Sequence, residues 1–146
     1  MENRINIQEL EPNAYKAMFG LENYLASTSL DNGLCDLVRL RASQINGCAY
    51  CIEMHANEAL KRGEKKNRLF AVSAWWESPL FSEKEMNTLE ATEEITKISA
   101  NGLTEKTYQK LKVHFSDNEI AQLIMLICSI NIWNRMAVST RMFHKQ

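Results

Sequence analysis

Helical periodicity runs through almost the whole chain and limits the possible folds more than any other feature. Apolar residues recur three and four positions apart, and no stretch alternates apolar and polar residues as a half-buried strand does. Only five Gly and two Pro occur in 146 residues, which is too few for a fold with many tight turns. The sequence therefore predicts an all-α fold in which residues 1–146 form a single helical domain.

Turn residues and capping patterns divide this domain into about seven helices. Ser82 with Glu85 and Ser116 with Glu119 match capping boxes, which mark the first turn of a helix. Gly63 is a natural residue to follow a helix end. The predicted helices cover residues 12–26, 34–45, 48–63, 64–76, 82–99, 104–113 and 116–143.

Charge and hydropathy exclude several classes of partner. Lys and Arg total 17 and Asp and Glu total 18, so the net charge is -1 and nothing favours nucleic acid or anionic membranes. The first residues are polar and lack the apolar stretch of a secretory signal. The most apolar stretch, residues 120–133, is shorter than the roughly 20 residues of a membrane helix. We therefore expect a soluble cytoplasmic protein that binds neither nucleic acid nor membrane.

The residues best suited to catalysis lie within residues 46–55, which contain two cysteines and a histidine. Cys48, Cys51 and His55 are spaced by three and four positions, so they share one face of a helix. The preceding Asn46-Gly47 pair breaks the chain, which places both cysteines in the first helical turn. Unpaired backbone N–H groups and the helix dipole stabilise a thiolate there. This arrangement is typical of an attacking thiol, a resolving thiol and a proton acceptor.

Two alternatives use the same cysteines differently. In a zinc half-site, the pair and His55 would be three ligands, and the fourth would come from Cys35, Cys128, His114 or His144. No second paired cluster exists and the ligand run lies within one helix, so we predict no metal ion. In the other alternative the pair is simply part of the core, as we expect of Cys35 and Cys128 among their apolar neighbours.

Residues 37–55, LVRLRASQINGCAYCIEMH, resemble the core of alkylhydroperoxidase D-like proteins of the carboxymuconolactone decarboxylase family. The resemblance continues through residues 73–75 and returns weakly at residues 131–135. It implies an all-helical fold that assembles into homotrimers or homohexamers. It also implies thiol-dependent reduction of hydroperoxides, with no bound cofactor and with an external dithiol or thiol protein as electron donor. The named decarboxylases of the family lack this cysteine pair, so lactone decarboxylation fits poorly.

The resemblance also implies roles for four residues. The thiol matching Cys51 attacks the peroxide, and the thiol matching Cys48 resolves the product as a disulfide. His55 matches a proton-relay histidine whose partner is a glutamate twelve residues before the first cysteine. Asp36 occupies that position with a side chain that is one methylene shorter than glutamate. The alternative for Asp36 is a solvated carboxylate.

Three further residues belong to the candidate site by position. Glu58 shares the stripe of His55 and either orients the imidazole or is a surface acid, and the surface acid is favoured. Tyr50 either contacts the substrate or packs on a neighbour, and packing is favoured. Ser43 either borders the pocket or packs in its helix.

The sequence leaves two questions open. Asn131, Asn134 and Arg135 interrupt an otherwise apolar helix, and they either meet a second subunit or form a buried network near the site. A helix with apolar residues on more than one side needs more than one packing surface, which favours a homo-oligomer. The substrate is either a hydroperoxide or another protein's disulfide, and a zinc-stabilised oligomer without enzymatic activity is a further alternative.

Overall fold

The computed structural model describes residues 2–142, and within them the chain forms nine α-helices and one 3-10 helix, with no strand. The helices are α1 (Ile7–Leu10), α2 (Pro12–Ala26), α3 (Asn32–Ile45), α4 (Ala49–Lys61), α5 (Lys66–Ala71), the 3-10 helix (Val72–Glu77), α6 (Glu83–Thr96), α7 (Ile98–Asn101), α8 (Glu105–His114) and α9 (Asp117–Thr140).

The all-α prediction is confirmed, and each of the seven predicted helices is present. The helices α1 and α7 are additional, and each has four residues, which is too short for periodicity to reveal. The predicted helix 64–76 is divided into α5 and the 3-10 helix, and Ala74 within the 3-10 helix has non-helical torsion angles (φ -131°, ψ 38°). The helix predicted for 82–99 ends at Thr96, and α7 follows it. The last helix ends at Thr140, and Phe143 lies outside the described residues.

The predicted helix boundaries rest on local hydrogen bonds that the structure contains. Ser82 with Glu85 and Ser116 with Glu119 form reciprocal capping boxes at the starts of α6 and α9. Gly63 follows α4 with φ +98°, and its N–H donates to the Leu60 carbonyl at 3.0 Å. These contacts satisfy backbone groups that would otherwise be unpaired at the helix ends.

The central helix of the fold is α3, which packs against α4, α6 and α9. Leu34 and Val38 face one apolar cluster, which includes Leu123 of α9. Leu37 and Leu40 face a second cluster with residues of α4, α5 and α6. Because α3 is buried on two sides, it fixes the position of its C-terminal end, where the cysteine pair begins.

The apolar composition of α9 follows from its place in this core. Its 24 residues are long and apolar enough to cross a membrane by length and composition, but 56% of that apolar window is buried inside the fold. Ile120, Leu123, Leu126 and Ile127 pack in the cluster around Leu34. The structure therefore accounts for this helix as the core helix of a folded protein.

Candidate functional site

A tight loop between α3 and α4 sets the position of the cysteine pair. Gly47 has φ +64°, and its N–H donates to the Gln44 carbonyl at 3.2 Å. The Cys48 N–H donates to the Ser43 carbonyl at 3.0 Å. These two bonds are the Schellman arrangement, which needs a left-handed residue after the helix end. The predicted break at Asn46-Gly47 is therefore present, and it places Cys48 at the N-cap of α4.

A buried polar network ties this loop to α9. Asn46 Nδ2 donates to Asn131 Oδ1 at 3.0 Å and to Asn134 Oδ1 at 2.9 Å. Asn134 Nδ2 in turn donates to Ser43 Oγ at 3.0 Å, and both of these residues are fully buried. Of the two alternatives for the α9 asparagines, the structure contains the buried network. Ser43 belongs to this network and does not line the cavity described below.

The two cysteines are joined as a disulfide, with their Cα atoms 5.3 Å apart. Each is only 2% exposed, and Cys48 Sγ also accepts a hydrogen bond from the Cys51 N–H at 3.3 Å. The other two cysteines are free thiols. Cys35 is buried as expected, but the expectation that Cys128 is buried is wrong, because Cys128 lies on the exposed side of α9.

A cavity of about 590 Å³ opens beside this disulfide. Cys51 lines it, whereas Cys48 lies behind Cys51 and does not. The same cavity is lined by Tyr50, His55 and Glu58, so three of the predicted site residues meet Cys51 there. The remaining walls come from α2, α9 and residues 3–8, which include the first two residues of α1, together with Arg39, Arg62 and Met142. The structure thus leaves one sulfur of the pair facing a space large enough for an organic ligand.

A carboxylate holds the histidine of the cavity. His55 Nδ1 lies 3.0 Å from Glu58 Oε2, and the His55 side chain is 8% exposed against 42% for Glu58. The hydrogen bond to His55 lowers the pKa of Glu58, and the nearby Arg62 lowers it further. An ionised Glu58 accepts this hydrogen bond, which favours the imidazole tautomer with a proton on Nδ1 and with Nε2 as an acceptor. Glu58 is thus partly exposed, as expected of a surface acid, but it also contacts the imidazole, and its role in orienting the ring stays a prediction.

Asp36 lies elsewhere and has a different partner. It is 1% exposed and accepts two hydrogen bonds from the Arg62 guanidinium, one of them from Nε at 2.7 Å. The hydrogen bond with Asp36 raises the pKa of Arg62. Asp36 is therefore not a solvated carboxylate, and its side-chain hydrogen bonds go to Arg62 rather than to His55. A role for Asp36 in proton transfer stays a prediction.

Sequence reasoning missed the aromatic wall of the cavity. Tyr15 and Phe19 of α2 and Trp133 of α9 line it, opposite the α4 residues. Burial raises the pKa of Tyr15, and the nearby Tyr50 raises it further. The spacing of Tyr15 and Phe19 shows that they share a helix face, but Trp133 is more than a hundred residues away in the chain. No local pattern indicates that these rings meet.

The described residues, 2–142, contain no group of three or more His, Cys, Asp or Glu side chains arranged to hold a metal ion. Both thiols of the alternative zinc half-site are used in the disulfide. His144, one of the ligands considered for that site, lies outside the described residues.

Comparison with known proteins places the chain in a class. Residues 12–94, more than half of the chain, match the Carboxymuconolactone decarboxylase family. The chain belongs to this family. The resemblance of residues 37–55 to its alkylhydroperoxidase D-like members is thereby confirmed.

Two relatives align over nearly the whole chain. The uncharacterized protein YdfG of Bacillus subtilis is 33% identical over 139 residues, which cover 95% of each chain. The solved structure of ATU0492 from Agrobacterium tumefaciens is 39% identical, with a TM-score of 0.96 and 99% of each chain covered. ATU0492 is a protein of unknown function for which a role as the antioxidant defence protein AhpD has been suggested.

A more distant solved structure shows how widely the fold is used. The debrominase Bmp8 has a TM-score of 0.85 at 18% identity, covering 94% of this chain and 74% of its own. At this identity the similarity concerns the fold alone. The family and the cysteine pair together fit a peroxidase-related function.

Proposed function

We propose that this protein is a cytoplasmic thiol peroxidase that reduces organic hydroperoxides as part of antioxidant defence. The observation that carries the proposal is the placement of Cys51, which faces the cavity beside His55 while Cys48 is within bonding reach behind it. Thiol peroxidase chemistry needs an attacking sulfur that meets the substrate and a resolving sulfur that need not. The relation of ATU0492 to antioxidant defence supports the same proposal.

In the first step the Cys51 thiol gives its proton to His55 Nε2, and the thiolate attacks one oxygen of the hydroperoxide. A sulfur–oxygen bond forms and the oxygen–oxygen bond breaks. The leaving alkoxide takes the proton from His55 and departs as the alcohol, while Cys51 becomes a sulfenic acid. Glu58 holds the imidazole throughout, because its hydrogen bond to Nδ1 favours the proton on that nitrogen.

In the second step Cys48 attacks the sulfur of the sulfenic acid. The disulfide forms, the sulfur–oxygen bond breaks and water leaves with the proton of the Cys48 thiol. An external dithiol or thiol protein then reduces the disulfide and is itself oxidised by two electrons. The complete cycle converts one hydroperoxide and one dithiol into an alcohol, water and an oxidised donor, and it needs no bound cofactor.

Burial of both sulfurs argues against the rival function, in which the substrate is another protein's disulfide. A protein disulfide must bring its sulfur within bonding distance of Cys51, which is 2% exposed and faces a cavity rather than the outer surface. A small hydroperoxide enters such a cavity more easily than a folded protein, and for the same reason a small dithiol reaches the disulfide more easily than a thiol protein does. The chain's predicted assembly as a homotrimer or homohexamer belongs to the same proposal.

The test uses fully reduced, metal-free protein and one equivalent of cumene hydroperoxide. We expect an intact-mass loss of two hydrogens that maps to Cys48 and Cys51 and is reversed by a dithiol. Persistence of both thiols after the hydroperoxide has been added would contradict the proposal. A parallel assay with a protein disulfide as substrate distinguishes the peroxidase from the rival function. The rival function requires the protein disulfide to be reduced faster than the hydroperoxide.

Three cysteine variants sharpen this test. Cys51→Ser should abolish peroxide consumption, and Cys48→Ser should stop after one turnover with a sulfenic acid that dimedone traps. Cys128→Ser is the matched control, because this free thiol lies on the exposed side of α9 and should leave turnover unchanged. Turnover by Cys51→Ser in the presence of reductant would exclude the assigned roles.

A further inference from the structure

The wall of the cavity opposite α4 is a cluster of three aromatic rings. The ring centroid of Trp133 lies 5.3 Å from that of Tyr15, with the rings edge-on, and 5.9 Å from that of Phe19. Tyr15 and Phe19 are themselves 5.7 Å apart. Phe19 remains 51% exposed although it is a large apolar side chain, and it lines the cavity. The cluster therefore has ring surface that no other side chain covers.

Hydrogen bonds hold Trp133 in this wall and engage its indole N–H. Trp133 Nε1 donates to Glu22 Oε1 at 3.0 Å, and the same oxygen accepts the Ser129 hydroxyl at 2.6 Å. The other Glu22 oxygen pairs with Arg39 at 3.3 Å. Because the indole N–H is engaged, Trp133 and Phe19 offer a ligand their ring edges and faces, and the Tyr15 hydroxyl is the polar group of the cluster.

The charges that line the cavity are already paired. Arg39 is bound to Glu22, and Arg62 is bound to Asp36. Glu58 adds a carboxylate, which is bound to His55. Among the described residues that line the cavity, both cations are paired and none is left to neutralise a carboxylate on the ligand. An unpaired charge entering this partly buried space would lose hydration without compensation. The cavity therefore favours a neutral ligand.

The volume of the cavity and the methionine sulfurs that line it also favour an organic ligand. About 590 Å³ is far more space than hydrogen peroxide fills, and it is within the usual range of sites for organic ligands. Met54 and Met136 also line the cavity, and thioether sulfurs make favourable contacts with aromatic rings.

We propose that the preferred substrates of this site are neutral organic hydroperoxides that carry an aromatic ring. The ring packs against Tyr15, Phe19 and Trp133, and the peroxide group reaches Cys51. This inference rests on the proposed peroxidase function and adds its substrate class. It makes the three rings binding residues, while Cys51 and His55 carry the chemistry.

The experiment compares hydroperoxides that differ in one group. Cumene hydroperoxide and tert-butyl hydroperoxide share a tertiary carbon and differ only by phenyl in place of methyl. The saturated analogue, with cyclohexyl in place of phenyl, separates aromatic recognition from bulk, and a para-carboxylate on the phenyl ring tests charge. We expect kcat/KM for the phenyl compound to exceed that for the tert-butyl compound about tenfold, a typical effect of one aromatic contact with its buried area. The cyclohexyl and carboxylate compounds should fall between these two.

Variants of the wall test whether these rings are responsible. Phe19→Leu and Trp133→Leu should lower the phenyl to tert-butyl ratio about threefold or more. Phe70→Leu is the matched control, because Phe70 is 78% exposed on α5 and does not line the cavity. A ratio near one in the wild type, equal rates for the phenyl and cyclohexyl compounds, or a ratio that both wall variants leave unchanged would overturn the proposal.

A failure of the peroxidase proposal can be distinguished from a failure of the aromatic-substrate proposal. In that case no hydroperoxide oxidises the cysteine pair, and binding of 2-phenyl-2-propanol, the unreactive alcohol, is measured by calorimetry instead. Binding that Phe19→Leu weakens and Phe70→Leu does not would support the aromatic site on its own. Absence of binding would overturn it.

Discussion

Asn134 offers a direct test of how the loop before the cysteines is held. Asn134→Ala removes the hydrogen bonds to Ser43 Oγ and from Asn46 Nδ2. Each is worth about 1 kcal/mol net, and the cavity left by the amide costs about another 0.5 kcal/mol. The partners keep other bonds, since Ser43 Oγ still donates to the Arg39 carbonyl and Asn46 still reaches Asn131. Alanine recovers about 0.5 kcal/mol in helix propensity, so we expect a net loss of about 2 kcal/mol.

The assay is urea unfolding of the oxidised protein at one fixed protein concentration. A loss of about 2 kcal/mol lowers the midpoint by about 1 M urea, and the melting temperature by about 4–8 °C for a chain of this length. A second readout is the rate at which the reduced variant closes its disulfide after one equivalent of hydroperoxide. We expect this rate to fall, because Asn46, in the loop that leads to Cys48, keeps one of its two hydrogen bonds to α9 and loses the other.

The control for this variant is Asn57→Ala, which makes the same side-chain change on the exposed side of α4. It should remain within about 0.5 kcal/mol of the wild type. If Asn134→Ala also stays within that range, the buried network contributes nothing to stability, and the account of how the loop is positioned is wrong.

Three further predictions concern single local features. Glu58→Gln removes a carboxylate whose pKa the His55 hydrogen bond lowers, so the wild type should be more stable than the variant at pH 7 and should lose that advantage as the pH falls below the usual carboxyl range. The difference should be no more than about 0.5 kcal/mol because the side chain is 42% exposed, and a difference that is equal at pH 7 and pH 3 in urea titrations would contradict this. Gly47→Ala should destabilise the fold by about 1 kcal/mol, because Gly47 has a positive φ. Gly20 lies within α2 with open space around it, so Gly20→Ala should stabilise the fold by about 0.5–1 kcal/mol. Thermal melts of the two variants test both expectations. Ser116→Ala should cost about 1 kcal/mol and speed amide exchange in the first turn of α9, and unchanged exchange would show that the capping box is unimportant.

The features that the sequence predicts correctly are those determined by near neighbours in the chain. A capping box is complete within four residues, and the Asn46-Gly47 break is specified by one left-handed position. The common face of Cys51 and His55 follows from helical spacing alone. These inferences need no knowledge of tertiary contacts, and the structure contains each of them.

Other features depend on contacts between distant parts of the chain. Asp36 meets Arg62 across 26 residues, and Trp133 meets Glu22 across 111. Neither pairing leaves a local pattern, so the sequence could not show that Asp36 has a guanidinium partner. The same is true of the aromatic wall, where α2 and α9 come together. Two four-residue helices are likewise too short to carry a periodic signal.

The sulfur of Cys48 also serves as the N-cap acceptor of α4, through its hydrogen bond from the Cys51 N–H. The atom that begins this helix is thus one that the redox cycle alters. As a thiolate it would bring a full negative charge to the positive end of the helix dipole, whereas in the disulfide it is a neutral and weaker acceptor. In reduced protein at a pH that ionises Cys48, the first turn of α4 should therefore be held more firmly than in the oxidised protein. The exchange rate of the Cys51 amide would report the oxidation state of the pair without any added label.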